Sequence, residues 1–415
     1  MRILVLCIAI LSSFASYAQR ECASHTYSQN LRNSDAAIAR AMDAAAAFEG
    51  SLELSTGANG TISEPVIRIP VVIHVLYNTP SQNISDAQIK SQIDALNRDF
   101  RRKNSDTANT PSRFKSIAAD VAIEFVLATV DTKGQASNGI IRKATAVKDW
   151  TSDDKIKFTA QGGSDAWDSK NYLNIWVGNM RSLLGYSSAP GCPANRDGLV
   201  IATSAFGTVN VSGSFNMGRT AVHEAGHWLG LKHTWGDTYC GDDSIDDTPK
   251  QGNYTTGCPS GFRTSCNNGS LGDMYMNYMD FTNDACLNLF TRGQKSKMRT
   301  QFAQGGARAG LLVSKGLSAP WYSGYSEPAM PEAVATNAQT SIHPNPAANF
   351  IVITTSAEDW IGTQVRILNV SGAIVKTVLI TCKSQQINIA SLSAGAYIIQ
   401  GEAAGKKLAK RFVKL

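Results

Sequence analysis

His223-Glu224-Ala225-Gly226-His227-Trp228-Leu229-Gly230-Leu231-Lys232-His233 carries more chemistry per residue than any other stretch of the chain. On a helix, His223 and His227 leave the same face one turn apart, so both imidazoles can reach one metal ion. Gly230 permits a sharp exit from the helix that a Cβ-bearing residue would resist, and the turn can bring His233 back as a third ligand. A fourth position stays open for water. Zinc held there lowers the pKa of that water to roughly 7, and Glu224 is placed to take its proton and turn it on a carbonyl polarised by the same ion. Spacing this specific makes a chance run of histidines a poor alternative.

The stretch has the His-Glu-x-x-His-x-x-Gly-x-x-His form of the metzincins, which carry a methionine-containing turn downstream. Asn277-Tyr278-Met279-Asp280-Phe281 fits that turn, with Met279 as a soft platform beneath the histidines. Together with His233-Thr234-Trp235, Asp246-Asp247-Thr248-Pro249 and Asp284-Ala285-Cys286, these motifs resemble the pappalysin family of metzincin metalloproteases from residue 68 to residue 305. The resemblance implies an α+β metzincin zinc-protease fold, with a mixed sheet, a zinc-binding active-site helix and a Met-turn. It implies a zinc endopeptidase with His223, His227 and His233 as ligands and Glu224 as general base. It further implies disulfides Cys240–Cys266 and Cys258–Cys286, and a calcium site at Asp243, Asp247 and Thr248. Asp284, two residues before Cys286, falls where the family has the floor of the pocket for the residue after the scissile bond. A carboxylate there favours Arg, with its forked donors, and then Lys, so cleavage is expected on the N-terminal side of those residues. One departure stands out: the family has tyrosine two residues after the turn methionine, and this chain has Phe281.

A chain of 415 residues is long enough for two or three domains. Met1-Arg2, the apolar run Ile3 to Leu11 and then Ser16-Tyr17-Ala18-Gln19 read as a secretory leader, residues 1–18, cut after Ala18. No later stretch approaches the roughly 18 unbroken apolar residues of a membrane span. The formal charge of +6 is modest, and with basic residues spread along the chain it argues against a nucleic-acid partner. A monomer acting on peptide or protein substrates is expected.

Cys7 leaves with the leader, and Cys22, Cys192, Cys240, Cys258, Cys266, Cys286 and Cys382 remain, an odd number. Cys240, Cys258, Cys266 and Cys286 crowd into a loop-rich stretch after the zinc helix that would gain from cross-links. Spacing alone permits three pairings among them, and the lack of a Cys-x-x-Cys pair argues against a second zinc site. Asp242, Asp243, Asp246 and Asp247 in the same stretch repel unless solvated or bound to a hard cation, and oxygen ligands suit calcium.

Residues 19–67 are polar and alanine-rich and read as a pro-segment, with a helical piece from Asp35 to Phe48. Cys22, in Arg20-Glu21-Cys22-Ala23, lies in a segment similar to the short cysteine motif of pappalysin-family pro-segments, so its thiolate is a candidate to fill the open zinc position and enforce latency. A disulfide to Cys192 is the competing assignment. Cleavage before Arg68 would then release the enzyme, whose catalytic domain is expected over residues 68–316.

Val66 to Tyr77 is a β-branched run typical of a buried strand, which makes His74 a core histidine with a satisfied ring. Ser85 can cap a helix whose apolar stripe is Ile89, Ile93, Leu96 and Phe100. Ile123 to Leu127 and Tyr172 to Val177 read as further strands, and Thr291 to Gln304 as the closing helix. Leu183-Leu184-Gly185-Tyr186-Ser187 is placed like the exposed metzincin edge strand, where Gly185 and Tyr186 would bind extended substrate through main-chain hydrogen bonds.

Residues 317–340 are rich in Pro, Ser, Ala and Gly and read as a linker. Residues 341–415 alternate short strands with turns, the pattern of a β-sandwich. The segments Ser341 to Ala347, Val365 to Gly372, Leu392 to Tyr397 and Lys410 to Leu415 resemble, in this order, the type A C-terminal sorting domain of the type IX secretion system. That implies secretion machinery as a partner, with passage through the periplasm of a Gram-negative bacterium to the cell surface or beyond. A carbohydrate-binding sandwich is the alternative, but it needs surface aromatics, and Trp360 is the one tryptophan in the segment. For the whole chain, an inactive binding or adhesion protein on the same scaffold is the rival reading. Glu224 speaks against it, since a decayed site would lose its base before its ligands.

Overall fold

The structure, a computed structural model, describes residues 22–49, 55–56, 62–319, 340–355, 360–369, 373–403 and 406–415. The expected leader and most of the expected linker lie outside these residues. The chain divides into two compact units, Met1–Gly324 and Tyr325–Leu415.

The first unit opens with helices α1 (Ser24–Ser34) and α2 (Ala36–Ala46) and a two-residue pairing of β1 (Ser55–Thr56) with β2 (Ile62–Ser63). Its centre is β3 (Ile67–Tyr77), buried along almost its whole length, as a strand covered on both faces must be. Along one side of β3 run β4 (Ile123–Leu127) and then β5 (Ile140–Ala144), both parallel to it. On the other side come β6 (Leu173–Gly178) and β8 (Leu199–Ala202), also parallel, and then β7 (Gly185–Ser187), which is antiparallel and closes the order β4-β3-β6-β8-β7. The sheet is therefore mixed, with one short antiparallel edge.

Ser85 accepts a hydrogen bond from the Gln88 N–H at 3.2 Å and caps α3 (Asp86–Phe100), which buries Ile89, Ile93, Leu96 and Phe100 against the sheet. A single turn, α4 (Ser112–Lys115), buries Phe114. Helix α5 (Arg219–Trp228) carries the first two histidines and is buried at every position, so it crosses the core instead of lying on it. Helix α6 (Arg292–Thr300) starts from a capping box between Thr291 and Gln294 and stops at Thr300, short of the expected Gln304, because the chain tightens there into three-residue turns, the Phe302 N–H donating to the Arg299 carbonyl at 3.0 Å and the Ala303 N–H to the Thr300 carbonyl at 3.1 Å. His74 meets its expectation: its ring lies between the Ser164 hydroxyl at 2.9 Å and Asn174 Oδ1 at 3.1 Å, and burial pushes its pKa down to about 4. Among the described residues, no helix is long and apolar enough to cross a membrane.

In the second unit, β9 (Thr340–His343), β10 (Phe350–Thr355) and β13 (Ser384–Asn388) form one antiparallel sheet. The other is built from β11 (Gln364–Asn369), β12 (Ile374–Leu379), β14 (Gly395–Ala403) and β15 (Lys406–Lys414). Ile351, Ile353, Ile387, Ile367, Ile399 and Phe412 share one core, which makes the unit a small sandwich. Trp360 is 4% exposed and belongs to that core, so it offers no platform for a sugar.

Candidate active site

Helix α5 and the chain after it bring the three histidines together through backbone geometry. The chain leaves α5 at Leu229, and Gly230 takes φ +92°, the left-handed conformation expected of it, which returns His233 toward the helix. Each imidazole then donates its Nδ1 proton to a fixed acceptor. His223 donates to the carbonyl of Tyr278 at 2.7 Å, within the methionine turn, and His227 to the carbonyl of Leu231 at 2.9 Å. The partner of His233 is the Asp237 carboxylate. With Nδ1 committed, the three Nε2 lone pairs face one another: His227 Nε2 lies 3.1 Å from His223 Nε2 and 3.0 Å from His233 Nε2. Burial, and then the neighbouring His233, pushes the pKa of His227 down to about 3, so its ring is neutral. Converging lone pairs at these distances repel unless a cation sits among them. Neutral imidazole nitrogens with an adjacent thiol are a donor set suited to zinc.

That thiol is Cys22. Among the described residues, Cys22, His223, His227 and His233 form the one group of metal-capable side chains whose ligand atoms converge, all within 4.8 Å of one another. Cys22 and Cys192 are both free thiols, so the competing disulfide is not formed. Residues 22–24 run along the edge of β7: Cys22 pairs with Gly185 in parallel, and the Ala23 N–H donates to the Gly185 carbonyl at 3.2 Å. Ser24 Oγ accepts from the Ser187 N–H at 2.8 Å and donates to Glu224 Oε2 at 2.6 Å. The expected edge strand is thus a hydrogen-bonding edge, and the expected pro-segment occupies it.

Gly185 is required there, because a Cβ would come within 2.9 Å of the Val200 carbonyl and 3.1 Å of Glu224 Cγ. The substrate role expected of Tyr186 is a main-chain one, which does not use its side chain. Its side chain is wholly buried on the opposite face of β7, with the ring centroid 4.9 Å from that of Tyr27. Alternation along a strand explains this, since Gly185 and Tyr186 must face opposite sides.

Met279 is fully buried beneath the helix, and its sulfur would be 2.5 Å from a Cβ on Gly226. Phe281 sets its ring centroid 4.9 Å from that of His233 and 5.6 Å from that of His223, an apolar wall where the family has a phenol. Asp284 is fully buried, and its Oδ2 accepts from the N–H groups of Met217 at 2.9 Å and Arg219 at 3.2 Å, which ties it to the start of α5. Disulfides Cys240–Cys266 and Cys258–Cys286 are both formed, each with Cα atoms 5.6 Å apart.

In the acidic loop, Thr248 Oγ1 donates to Asp243 at 2.7 Å, and burial pushes the Asp243 pKa up to about 7. Asp247 is committed elsewhere: it accepts from Thr291 Oγ1 at 2.6 Å and the Gly293 N–H at 2.9 Å, at the start of α6. Sequence reasoning missed Asp237, Ser24 and His25, whose Nδ1 lies 3.1 Å from Asp237. No motif marks them, because their partners are distant in the chain or depend on the loop's path.

A mixed sheet with one antiparallel edge, a buried helix bearing two imidazoles, a third imidazole returned by glycine and a methionine turn beneath define the metzincin class of zinc metalloendopeptidases. Residues 157–303 match the family described as pregnancy-associated plasma protein-A, and residues 341–415 match the secretion system C-terminal sorting domain. The chain belongs to the pappalysin family of secreted metalloproteases and carries a type IX sorting domain. It is 32% identical to an extracellular metalloprotease of Pyricularia oryzae, over 63% of this chain and 84% of that one. Mature mirolysin of Tannerella forsythia, solved with a cleaved peptide, is 49% identical, with a TM-score of 0.59 over 60% of this chain and 97% of that chain. A promirolysin mutant from the same organism is 43% identical, with a TM-score of 0.63 over 71% and 97%.

Proposed function

We propose that this metalloendopeptidase is made as a zymogen over residues 19–67 and, once freed, hydrolyses peptide bonds on the N-terminal side of Arg and then Lys. The observation that carries latency is the position of residues 22–24: Cys22 lies among the three imidazoles, and Ser24 engages the glutamate. Preference for a cationic residue is supported by Asp284, a carboxylate held in place by two backbone N–H groups. It matches the family position at the floor of the pocket after the scissile bond. The catalytic domain is then residues 68–316, joined by a linker over 317–340 to a sorting domain that engages the secretion machinery, and the enzyme works as a monomer.

His223, His227 and His233 would hold zinc, which supplies the charge that polarises a peptide carbonyl and acidifies water. Glu224 accepts the proton of the attacking water and returns it to the departing amine. The Gly185 main chain, released by residues 22–24, aligns the substrate in extended form. Tyr278 and Leu231 carbonyls and the Asp237 carboxylate hold each ring in one tautomer, so no reorganisation is needed during turnover. Met279 supports the rings from below.

Calcium is the second cofactor of this reading, supported by Asp243 and Thr248. With Asp247 bound to the start of α6, a cation there would draw on Asp243, Thr248 and main-chain oxygens.

The test is a peptide library incubated with the activated chain, with products read by mass spectrometry. Wild type should cleave before Arg and Lys, and Glu224→Gln should retain zinc while losing about 100-fold or more in rate. Absence of any basic preference, or Asp284→Ala keeping it, overturns the specificity. Cys22→Ala as latent as wild type overturns the thiol switch.

A further inference from the structure

The segment that covers the histidines also meets the first unit at a second place. Tyr27, on α1, is 3% exposed; its phenol donates to Asp154 Oδ2 at 2.8 Å and lies 3.1 Å from Lys157 Nζ. Its ring packs against Tyr186, and the Lys157 ammonium lies 4.6 Å from the ring centroid. The receiving groups form a built site. With the hairpin seated, Lys157 and Tyr186 are wholly buried and Asp154 is 4% exposed. Lys157 is held by Asp154 and by the Arg196 carbonyl, each at 2.8 Å. Asp154 itself sits at φ +66°, a left-handed conformation that aspartate adopts more readily than most residues. Burial beside Asp154 pushes the Tyr27 phenol far up, so it stays a donor throughout the range in which the protein folds.

The contact extends past Tyr27. Leu31 of α1 and Met42 of α2 join the buried cluster of Trp150, Ile156 and Trp176. Gly191, at φ +86°, lets the α2 backbone come so near that a Cβ would lie 2.5 Å from the Ala41 carbonyl oxygen. Lys297 Nζ donates to the carbonyl of Ala46 at 2.9 Å. None of these contacts involves Cys22 or the three histidines. They are strong by type: a buried phenol-to-carboxylate hydrogen bond, cation–π contact and apolar burial.

We propose that the surface formed by Asp154, Lys157, Tyr186 and Gly191 is an independent docking site for the α1–α2 hairpin. It keeps the hairpin bound after the chain is cut, so the excised segment persists as a non-covalent inhibitor. This rests on the zymogen reading, and it separates two events that reading leaves joined. Cutting ends the covalent tether and its high effective concentration, whereas activity returns only as the hairpin dissociates. Tyr27 is the anchor, and Cys22 is an addition to a segment already seated.

The experiment uses the full chain with Glu224→Gln, so that it cannot process itself, and with a site for an unrelated specific protease inserted at Gly60. After the cut, in the presence of zinc, size-exclusion chromatography with mass spectrometry follows the fragment that contains residues 22–49. The fragment should co-elute with the rest of the chain, and should still do so with Cys22→Ala. With Tyr27→Phe, which keeps the ring and removes the donor, it should dissociate about tenfold faster or more. Immediate separation of the unmodified fragment, or dissociation of Tyr27→Phe within threefold of the parent, overturns the proposal. Release caused by Cys22→Ala alone overturns it too, and leaves the thiol switch standing. The zymogen reading fails on a different result: peptide cleavage by an uncut chain with Glu224 intact.

Discussion

Three imidazoles are oriented here by acceptors of two kinds, two backbone carbonyls and one carboxylate. The carbonyls belong to backbone that the fold fixes, whereas Asp237 is a side chain that substitution can remove. Asp237→Ala should therefore leave the fold intact and free the His233 ring to rotate, weakening zinc by about 10- to 100-fold, as loss of a ligand's partner does. Competition against a chelator measures this, and unchanged affinity would show that backbone alone positions His233. The His-x-x-x-His spacing, Glu224 and Gly230 were legible because they act within two turns of chain. Asp237 follows His233 by four residues, yet no motif marks it, and its contact depends on a left-handed turn at Gly236 and at Asp237 itself, where φ is +61° and +60°.

At the scale of elements, α5 and the methionine turn are pressed together at one point. Because a Cβ on Gly226 would sit 2.5 Å from Met279 Sδ, Gly226→Ala should cost about 1–3 kcal/mol and lower the melting temperature. Combined with Met279→Ala, the loss should be less than the sum of the two, since the pair shares one contact. Strict additivity would mean that the methionine can move aside freely. The loop after the helix titrates. Asp243 has a folded pKa near 7 against an ordinary 3.8, so its neutral form is favoured by the fold. Its contribution to stability is whole below the ordinary value and is lost as pH rises through about 7. A cation needs the carboxylate, so calcium should bind on the order of 100-fold more tightly at pH 8 than at pH 5 and raise the melting temperature correspondingly more. Asp243→Asn should abolish the difference, and melting indifferent to calcium at pH 8 would leave the loop merely solvated. The stripe on α3 was readable from its spacing. The early end of α6 and the diversion of Asp247 to that helix were not, because both depend on what packs at its two ends.

On the scale of the molecule, the two units have separate cores: one drawn from Ile67 to Leu311, the other from Ala347 to Phe412. A chain ending at Gly324 should keep the melting temperature of the first unit within a few degrees and cleave peptides normally after activation, while losing export. A collapse of the first unit on truncation would refute the independence of the cores. The sandwich was legible as alternating strands and turns, and its family only through several weak motifs read together.

Local spacing was enough to determine the metal-binding chemistry, since His223, Glu224, His227, Gly230 and His233 lie close together in the chain, whereas the class of fold came through resemblance to the metzincins. The disulfides lay between these cases: spacing allowed three pairings, and family likeness chose the one formed. Tertiary structure alone decided that Tyr186 faces the core, that Cys22 reaches the histidines and not Cys192, and that Tyr27 sits on Asp154 and Lys157. Those outcomes join residues more than a hundred positions apart. Such meetings are set by how β7 closes the sheet and how α1 and α2 lie against it, which depends on the whole of the packed unit.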